Sequence, residues 1–282
     1  MTDLGTARER CREIALRHYE NFPVGRYGVP KEQQPDIHAI YAFARIADDF
    51  ADEPRFEGTR LERLDEWGAK LEAAAKGEAV DEPVFVALGD TIRRRDVPVQ
   101  LLRDLLGAFR QDAVKQRYET WDEVLDYCTR SANPVGRLVL WVTDHRDGAL
   151  LPYSDALCTG LQLANFWQDL SVDHARGRCY IPKADAVEAG VDIEALVRGE
   201  SPEGIASLLD ALVGRTRELF DGALPLPRRL RGLLRYEIAA TWNGGRIILE
   251  RTAALGARAL QVRPSLTGVD KIMILVRALR YP

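Results

Sequence analysis

Apolar residues recur every three to four positions along almost the whole chain, and runs alternating at a period of two are scarce. Prolines and glycines fall between the periodic stretches far more often than inside them, where they punctuate helices. The pattern predicts a first helix through Leu4 to Leu16, ended by the stretch from Pro23 to Pro35. A second runs from Pro35 to about Asp52 and is closed by Glu53-Pro54, because the residue before proline disfavours helix. Further helices are expected at 59–76, 83–95, 98–116, 121–143 and 152–173. After a loop from Asp173 to Pro182 come helices at 203–222, 228–256 and 266–280. Asn133-Pro134 lies inside a helical stretch and predicts a kink. With no fixed-period repeat and no low-complexity linker, 1–282 reads as one all-helical domain.

Of the 282 residues 46% are apolar, ordinary for a chain that buries a sizeable core. Charged residues make up 29% and the net charge is −4, with no unopposed Lys/Arg block, so no nucleic-acid partner is expected. Arg93-Arg94-Arg95 and Arg228-Arg229 read as solvated helix faces. Cys11, Cys128, Cys158 and Cys179 form neither a zinc pattern nor a disulfide framework, which fits a reducing compartment. The N-terminal stretch carries charges where a signal peptide needs an apolar core, and no apolar run reaches the roughly 20 residues needed to span a bilayer. A cytoplasmic protein is expected, with peripheral contact at the inner face of a membrane and pathway-enzyme partners left open. His38 and His145 lack the context of a hydrolase triad. No glycine-rich phosphate loop appears, which argues against ATP or nicotinamide.

Two stretches carry the chemistry. Tyr41, Arg45, Asp48 and Asp52 are spaced four, three and four apart, so a helix presents them on one face. Asp48 and Asp52 at i,i+4 repel each other, and a hard divalent cation that takes oxygen ligands is the natural compensation. An exposed acidic helix end is the plainer reading, with Arg45 as an intrahelical partner for Asp48 or Asp49. Gln162, Asn165, Asp169 and Asp173, spaced three, four and four apart, again share one face on a stretch that is otherwise largely apolar. Two such helices facing each other would hold a cluster of cations, and a diphosphate would be gripped through metal and Arg/Lys. Magnesium suits this donor set, since it takes one or two carboxylates together with waters and substrate phosphates.

The strings IYAFARIADDFADE and LQLANFWQDLSVDHARGRCYIP, with YCTRSANPVGRL between them, resemble the signature regions of the squalene and phytoene synthase family over about residues 10 to 265. The resemblance implies an all-α isoprenoid synthase fold around a central apolar cavity and a prenyl-type diphosphate substrate. It makes Asp48, Asp52, Asp169 and Asp173, with Asn165, magnesium ligands. Tyr41, Arg45, Asn165, Arg178 and Tyr180 would contact diphosphate or metal, and Tyr127 would line the cavity near the reacting carbons. The pieces ENFPVG, SANPVGRL and NFWQDLSVD resemble the bacterial branch that takes presqualene diphosphate to hydroxysqualene on a hopanoid route, with water as the last nucleophile.

Two departures fit that branch. Condensing members place Ser-x-Ser before a Phe, where this chain has His18-Tyr19-Glu20-Asn21-Phe22. They also often place Arg before the first aspartate of the second motif, where this chain has Gln168. Phe22, Tyr41, Phe43, Tyr127, Phe166, Trp167 and Trp242 are candidates to line a cation-shielding cavity, with core packing the plainer role for each. Ser131, Asn133 and His174 are candidates to position the final water. Head-to-head condensation of two prenyl diphosphates, head-to-tail prenyl transfer at Asp48-Asp49-x-x-Asp52, and a non-catalytic helical scaffold remain the competing readings.

Overall fold

A computed structural model describes residues 2–17, 28–173, 177–200 and 203–280. Fifteen α-helices run through them, with no strand among the described residues. In chain order they are α1 Leu4–Arg17, α2 Gln34–Asp52, α3 Arg60–Ala75, α4 Pro83–Arg95, α5 Val99–Asp112, α6 Trp121–Ser131, α7 Asn133–Val142 and α8 Leu151–Gln168. There follow α9 Leu170–Asp173, α10 Lys183–Glu188, α11 Ile193–Val197, α12 Ile205–Ala223, α13 Leu226–Arg229, α14 Leu234–Leu255 and α15 Gly268–Arg280. Among the described residues no helix is long and apolar enough to cross a membrane. The chain divides into two compact units: residues up to Val114 with Pro134–Gly148, and Lys115–Asn133 with Ala149 onward.

In the first unit, α2 turns a stripe of Ala39, Phe43, Ala47 and Ala51 inward, all fully buried. Their i,i+4 spacing keeps them on one face, and the alanines let neighbouring helices approach. Phe43 stacks on Trp67 of α3 at 6.2 Å between ring centroids, and Trp67 meets Phe85 of α4 edge-on at 4.4 Å. The Trp67 indole N–H donates to the Phe43 carbonyl at 3.2 Å, so this polar atom is not stranded in the core. At the start of α2, the buried Asp36 carboxylate accepts from Arg94, from Arg95 at 2.9 Å and from the Thr91 hydroxyl at 3.0 Å. The expectation that Arg93–Arg95 form a solvated face therefore holds for Arg93 alone; its two neighbours point back to satisfy a buried anion.

In the second unit, α8 packs against α12 and α14. Trp167 is fully buried, with its indole N–H donating to the Thr216 hydroxyl at 2.9 Å. Gly245 of α14 marks the tightest approach: a Cβ there would lie 2.5 Å from a Leu161 methyl and 2.8 Å from the Phe220 ring. Gly245→Ala is therefore expected to destabilise the protein by about 1–3 kcal/mol through overpacking, read from urea denaturation midpoints.

Three expected helices are interrupted. The 121–143 stretch is broken rather than kinked, since Pro134 has no N–H and its ring crowds the carbonyl four residues back. Here α6 ends with the Ala132 N–H on the Cys128 carbonyl at 3.0 Å, and α7 begins anew at Asn133. The 152–173 stretch breaks at Asp169, and 228–256 divides around residues 230–233 into α13 and α14. Two short helices, α10 and α11, occupy a region where none was expected. The second has an N-cap, with the Asp192 side chain accepting from the Glu194 N–H at 2.9 Å.

Candidate active site

On α2 the structure brings Tyr41, Arg45 and Asp48 into the lining of one cavity within the first unit, of about 240 Å³. Its walls are apolar, with Ile37, Ile40, Leu105, Phe109 and Leu138 contributing. The cavity faces away from the buried alanine stripe because positions 41, 45 and 48 lie on the opposite side of the helix. Arg45 donates to Asp48 at 2.9 Å and to Asp49, so one guanidinium neutralises two adjacent carboxylates. The intrahelical pairing weighed from sequence is thus real. It still leaves Asp48 side-chain surface 38% exposed. Burial raises the Tyr41 hydroxyl above its ordinary pKa, against the pull of Arg45 and with help from Asp48 and Asp49, so the phenol stays a proton donor. Asp52 lies one turn beyond Asp48, in the last turn of α2 and half-buried.

On the second motif, Asn165 is exposed and Trp167 is buried, as the helix period requires. At the end of α8 the Asp169 N–H donates to the Asn165 carbonyl at 2.9 Å. Its carbonyl then accepts from Val172 and Asp173, both at 2.8 Å. The Asp169 carboxylate is held by Arg263, and next to it the buried Gln168 amide donates to the Pro264 carbonyl at 2.7 Å. Arg263 is raised above the ordinary arginine value, first by its hydrogen bond to Asp169, against burial, with the charges of Asp169 and Asp173 adding to it.

Beyond Asp173 the chain returns along the segment before α6. The Arg178 N–H donates to the Asp173 carbonyl at 3.0 Å, and the Cys179 N–H to the Gln116 carbonyl at 3.1 Å. Arg117 also donates to the Gly177 carbonyl, lacing the two stretches together. This sets Tyr180 flat on Phe166, with centroids 3.7 Å apart and planes 5° from parallel. Tyr127 of α6 lies 6.1 Å from Tyr180 and 6.0 Å from Phe166, and Tyr118 completes the group at 5.6 Å from Tyr180.

The second unit therefore gathers Tyr127 and Tyr180 in an aromatic cluster, with Arg178 two residues before Tyr180 in the chain. Sequence reasoning missed Tyr118 and Arg263. Arg263 gave no signal, since its partner lies 94 residues away. Phe43 and Trp167 serve as core, while Trp242 is half-buried and donates from its indole to the Phe220 carbonyl at 2.7 Å. Of the candidates for holding water, Asn133 accepts from Thr159 at 2.9 Å, while the Ser131 hydroxyl is buried with no hydrogen-bond partner. Phe22, with the whole His18–Phe22 stretch, and His174 lie outside the described residues.

Among the described residues no three His, Cys, Asp or Glu side chains converge closely enough to hold a metal by themselves. The donors instead come as carboxylate pairs on two motifs, each with a guanidinium at hand. That set fits a small hard cation that shares its coordination between protein carboxylates, waters and substrate phosphate oxygens, as magnesium does.

Residues 15–270 match the family described as squalene/phytoene synthase. The chain is 38% identical over 231 residues to a hydroxysqualene synthase of Sinorhizobium fredii, covering 81% of this chain and 77% of that one. It is 39% identical over 229 residues to a hydroxysqualene synthase of Rhodopseudomonas palustris, covering 80% and 76%. Among solved structures, the squalene synthase HpnC from Alicyclobacillus acidocaldarius has a TM-score of 0.84 and 36% identity, covering 90% of this chain and 95% of that one.

Proposed function

Because the chain belongs to the squalene/phytoene synthase family, we propose that it converts presqualene diphosphate to hydroxysqualene by ionisation, carbocation rearrangement and capture by water. The reading keeps 1–282 as one catalytic domain and gives Asp48 and Asp52, like Asn165, Asp169 and Asp173, a role in binding metal and diphosphate. Magnesium, when bound there, supplies Lewis-acid neutralisation of the charge that develops on the leaving group. Arg45 and Arg178 donate to diphosphate oxygens, and their fixed forks gain strength as that charge grows. Tyr41 and Tyr180 add phenol donors. Tyr127, with Phe166 beside it, keeps the cation among aromatic faces worth about 0.5–2 kcal/mol each. Ser131 lies one helical turn from Tyr127 on the same face of α6, and its unpartnered hydroxyl is our choice to hold the terminal water. The enzyme is taken to be cytoplasmic, with peripheral contact to a membrane that holds its lipid substrate.

The observation that carries the choice of a single-diphosphate substrate is Gln168. Its amide is buried and spent on the Pro264 carbonyl, so the position where condensing relatives often carry arginine offers no cation to a second diphosphate. A second reading, condensation of two prenyl diphosphates, is favoured by Arg263, which brings a guanidinium to Asp169 from elsewhere in the chain. Product analysis by mass decides between them. Presqualene diphosphate with magnesium and no NADPH is expected to give hydroxysqualene. Ser131→Ala should shift the product toward hydrocarbons formed by proton loss. A C30 product accumulating from farnesyl diphosphate alone, with no alcohol from presqualene diphosphate, overturns the first reading.

A further inference from the structure

Six of the fourteen exposed large apolar side chains among the described residues lie on one helix of thirteen residues, α15. Apolar residues scattered singly over a surface call for no explanation, but a contiguous patch does. The helix is pinned to the protein by its opposite side. Asp270 is buried, bonded to Arg251 at 2.6 Å and capped by the Thr267 N–H and hydroxyl at 2.5 Å each, and Ile274 and Ala278 follow it inward at i+4 and i+8. With 3.6 residues per turn, this orientation forces Ile272, Leu275, Val276 and Leu279 outward, and Ile272 is 66% exposed and Leu279 61%.

Charge identifies what covers this face. Lys271 and Arg277 fall on its two opposite borders and Arg280 at its end, all exposed. The one acid of the helix, Asp270, is consumed inside. A second copy pairing through α15 would set cations against cations with no acid to offset them. An anionic bilayer surface meets both features, since its headgroups pair with lysine and arginine while its acyl boundary takes the apolar side chains. At a rise of 1.5 Å per residue the helix is about 20 Å long, too short to span the roughly 30 Å hydrocarbon core, so it lies in the interface plane.

We propose that α15 is a membrane-docking surface that seats the protein on anionic lipid through Ile272, Leu275, Val276 and Leu279, with Lys271, Arg277 and Arg280 on the headgroups. The test is flotation of the full chain with vesicles of equal phosphatidylglycerol and phosphatidylcholine, against vesicles of phosphatidylcholine alone. The wild type should float with the anionic vesicles. A variant carrying Ile272→Glu, Leu275→Glu and Leu279→Glu should bind at least about tenfold less, with an unchanged melting temperature because these side chains point to solvent. Lys271→Gln, Arg277→Gln and Arg280→Gln together should lose about a hundredfold, at about fivefold per cation. Absence of flotation by the wild type, or flotation of the glutamate variant at the wild-type level, overturns the proposal. So does a dimer, seen by sedimentation, that Leu275→Glu abolishes, since a second copy would then own the face. None of these readouts uses substrate, so they stand apart from the outcome of the product analysis.

Discussion

Asp169→Asn is expected to lower magnesium-dependent diphosphate release by roughly 10²–10³-fold, the range seen when one preorganised electrostatic group is removed from a site where charge develops. Asp48→Asn is expected to do the same. Each change keeps the side chain's shape and removes its charge, so packing is not the cause. At Asp48, Asp49 remains to hold Arg45. At Asp169, the partner left behind is Arg263, whose side chain is 51% exposed and can rehydrate; an exposed pair of this kind contributes about 0–1 kcal/mol. Stability should therefore change little while turnover collapses. The loss belongs in kcat as well as kcat/KM, because the carboxylates act on charge that appears in the transition state and not on the prenyl chain. Single-turnover diphosphate release at saturating substrate, with thermal melts run alongside, makes the comparison. Turnover within about threefold of wild type in both variants would sink the catalytic role given to these two motifs.

The two motifs differed in how much of their form the sequence disclosed. The α2 face was legible because one period sorts its residues completely: Ala39, Phe43, Ala47 and Ala51 go inward, and Tyr41, Arg45, Asp48 and Asp52 go outward. Nothing comparable announced the break at Asp169. The stretch from Asn165 to Asp173 contains neither proline nor glycine to mark a stop. What accompanies the interruption there is tertiary: Arg263 on the Asp169 carboxylate, and the Pro264 carbonyl on Gln168, 94 and 96 residues away. The break at Ala132 was half legible, since Pro134 marks the place but not whether the chain bends or stops. Arg94 and Arg95 were misread for the same reason as Asp169. A charged run looks solvated until a distant buried carboxylate, here Asp36, is known to need it.

That carboxylate yields the largest stability effect expected outside the site. Asp36 has a side chain only 1% exposed, and it takes hydrogen bonds from Arg94, Arg95 and Thr91, all on α4 or its last turn. Arg94 reaches on to Asp90 at 2.8 Å, which also accepts from Arg8 of α1 at 2.7 Å, so one network ties three helices of the first unit. Removing one partner of a buried pair leaves the others uncompensated and costs about 3–5 kcal/mol. The arginines are part-exposed, at 37% and 18% of their side-chain surface, so some of that charge can find water. Asp36→Ala should therefore fall at the lower end, about 3 kcal/mol, or a melting temperature lower by about 6–12 °C for a chain of this size. Arg93→Ala, at a side chain 70% exposed, should stay within about 0.5 kcal/mol of wild type. A double-mutant cycle with Arg95→Ala separates the ion pair from the cavity left by the aspartate, since only the pair produces coupling between the two changes. An Asp36→Ala protein that melts within about 2 °C of wild type would mean that α2, and with it the Arg45–Asp48 face, is held by the Phe43–Trp67–Phe85 packing alone.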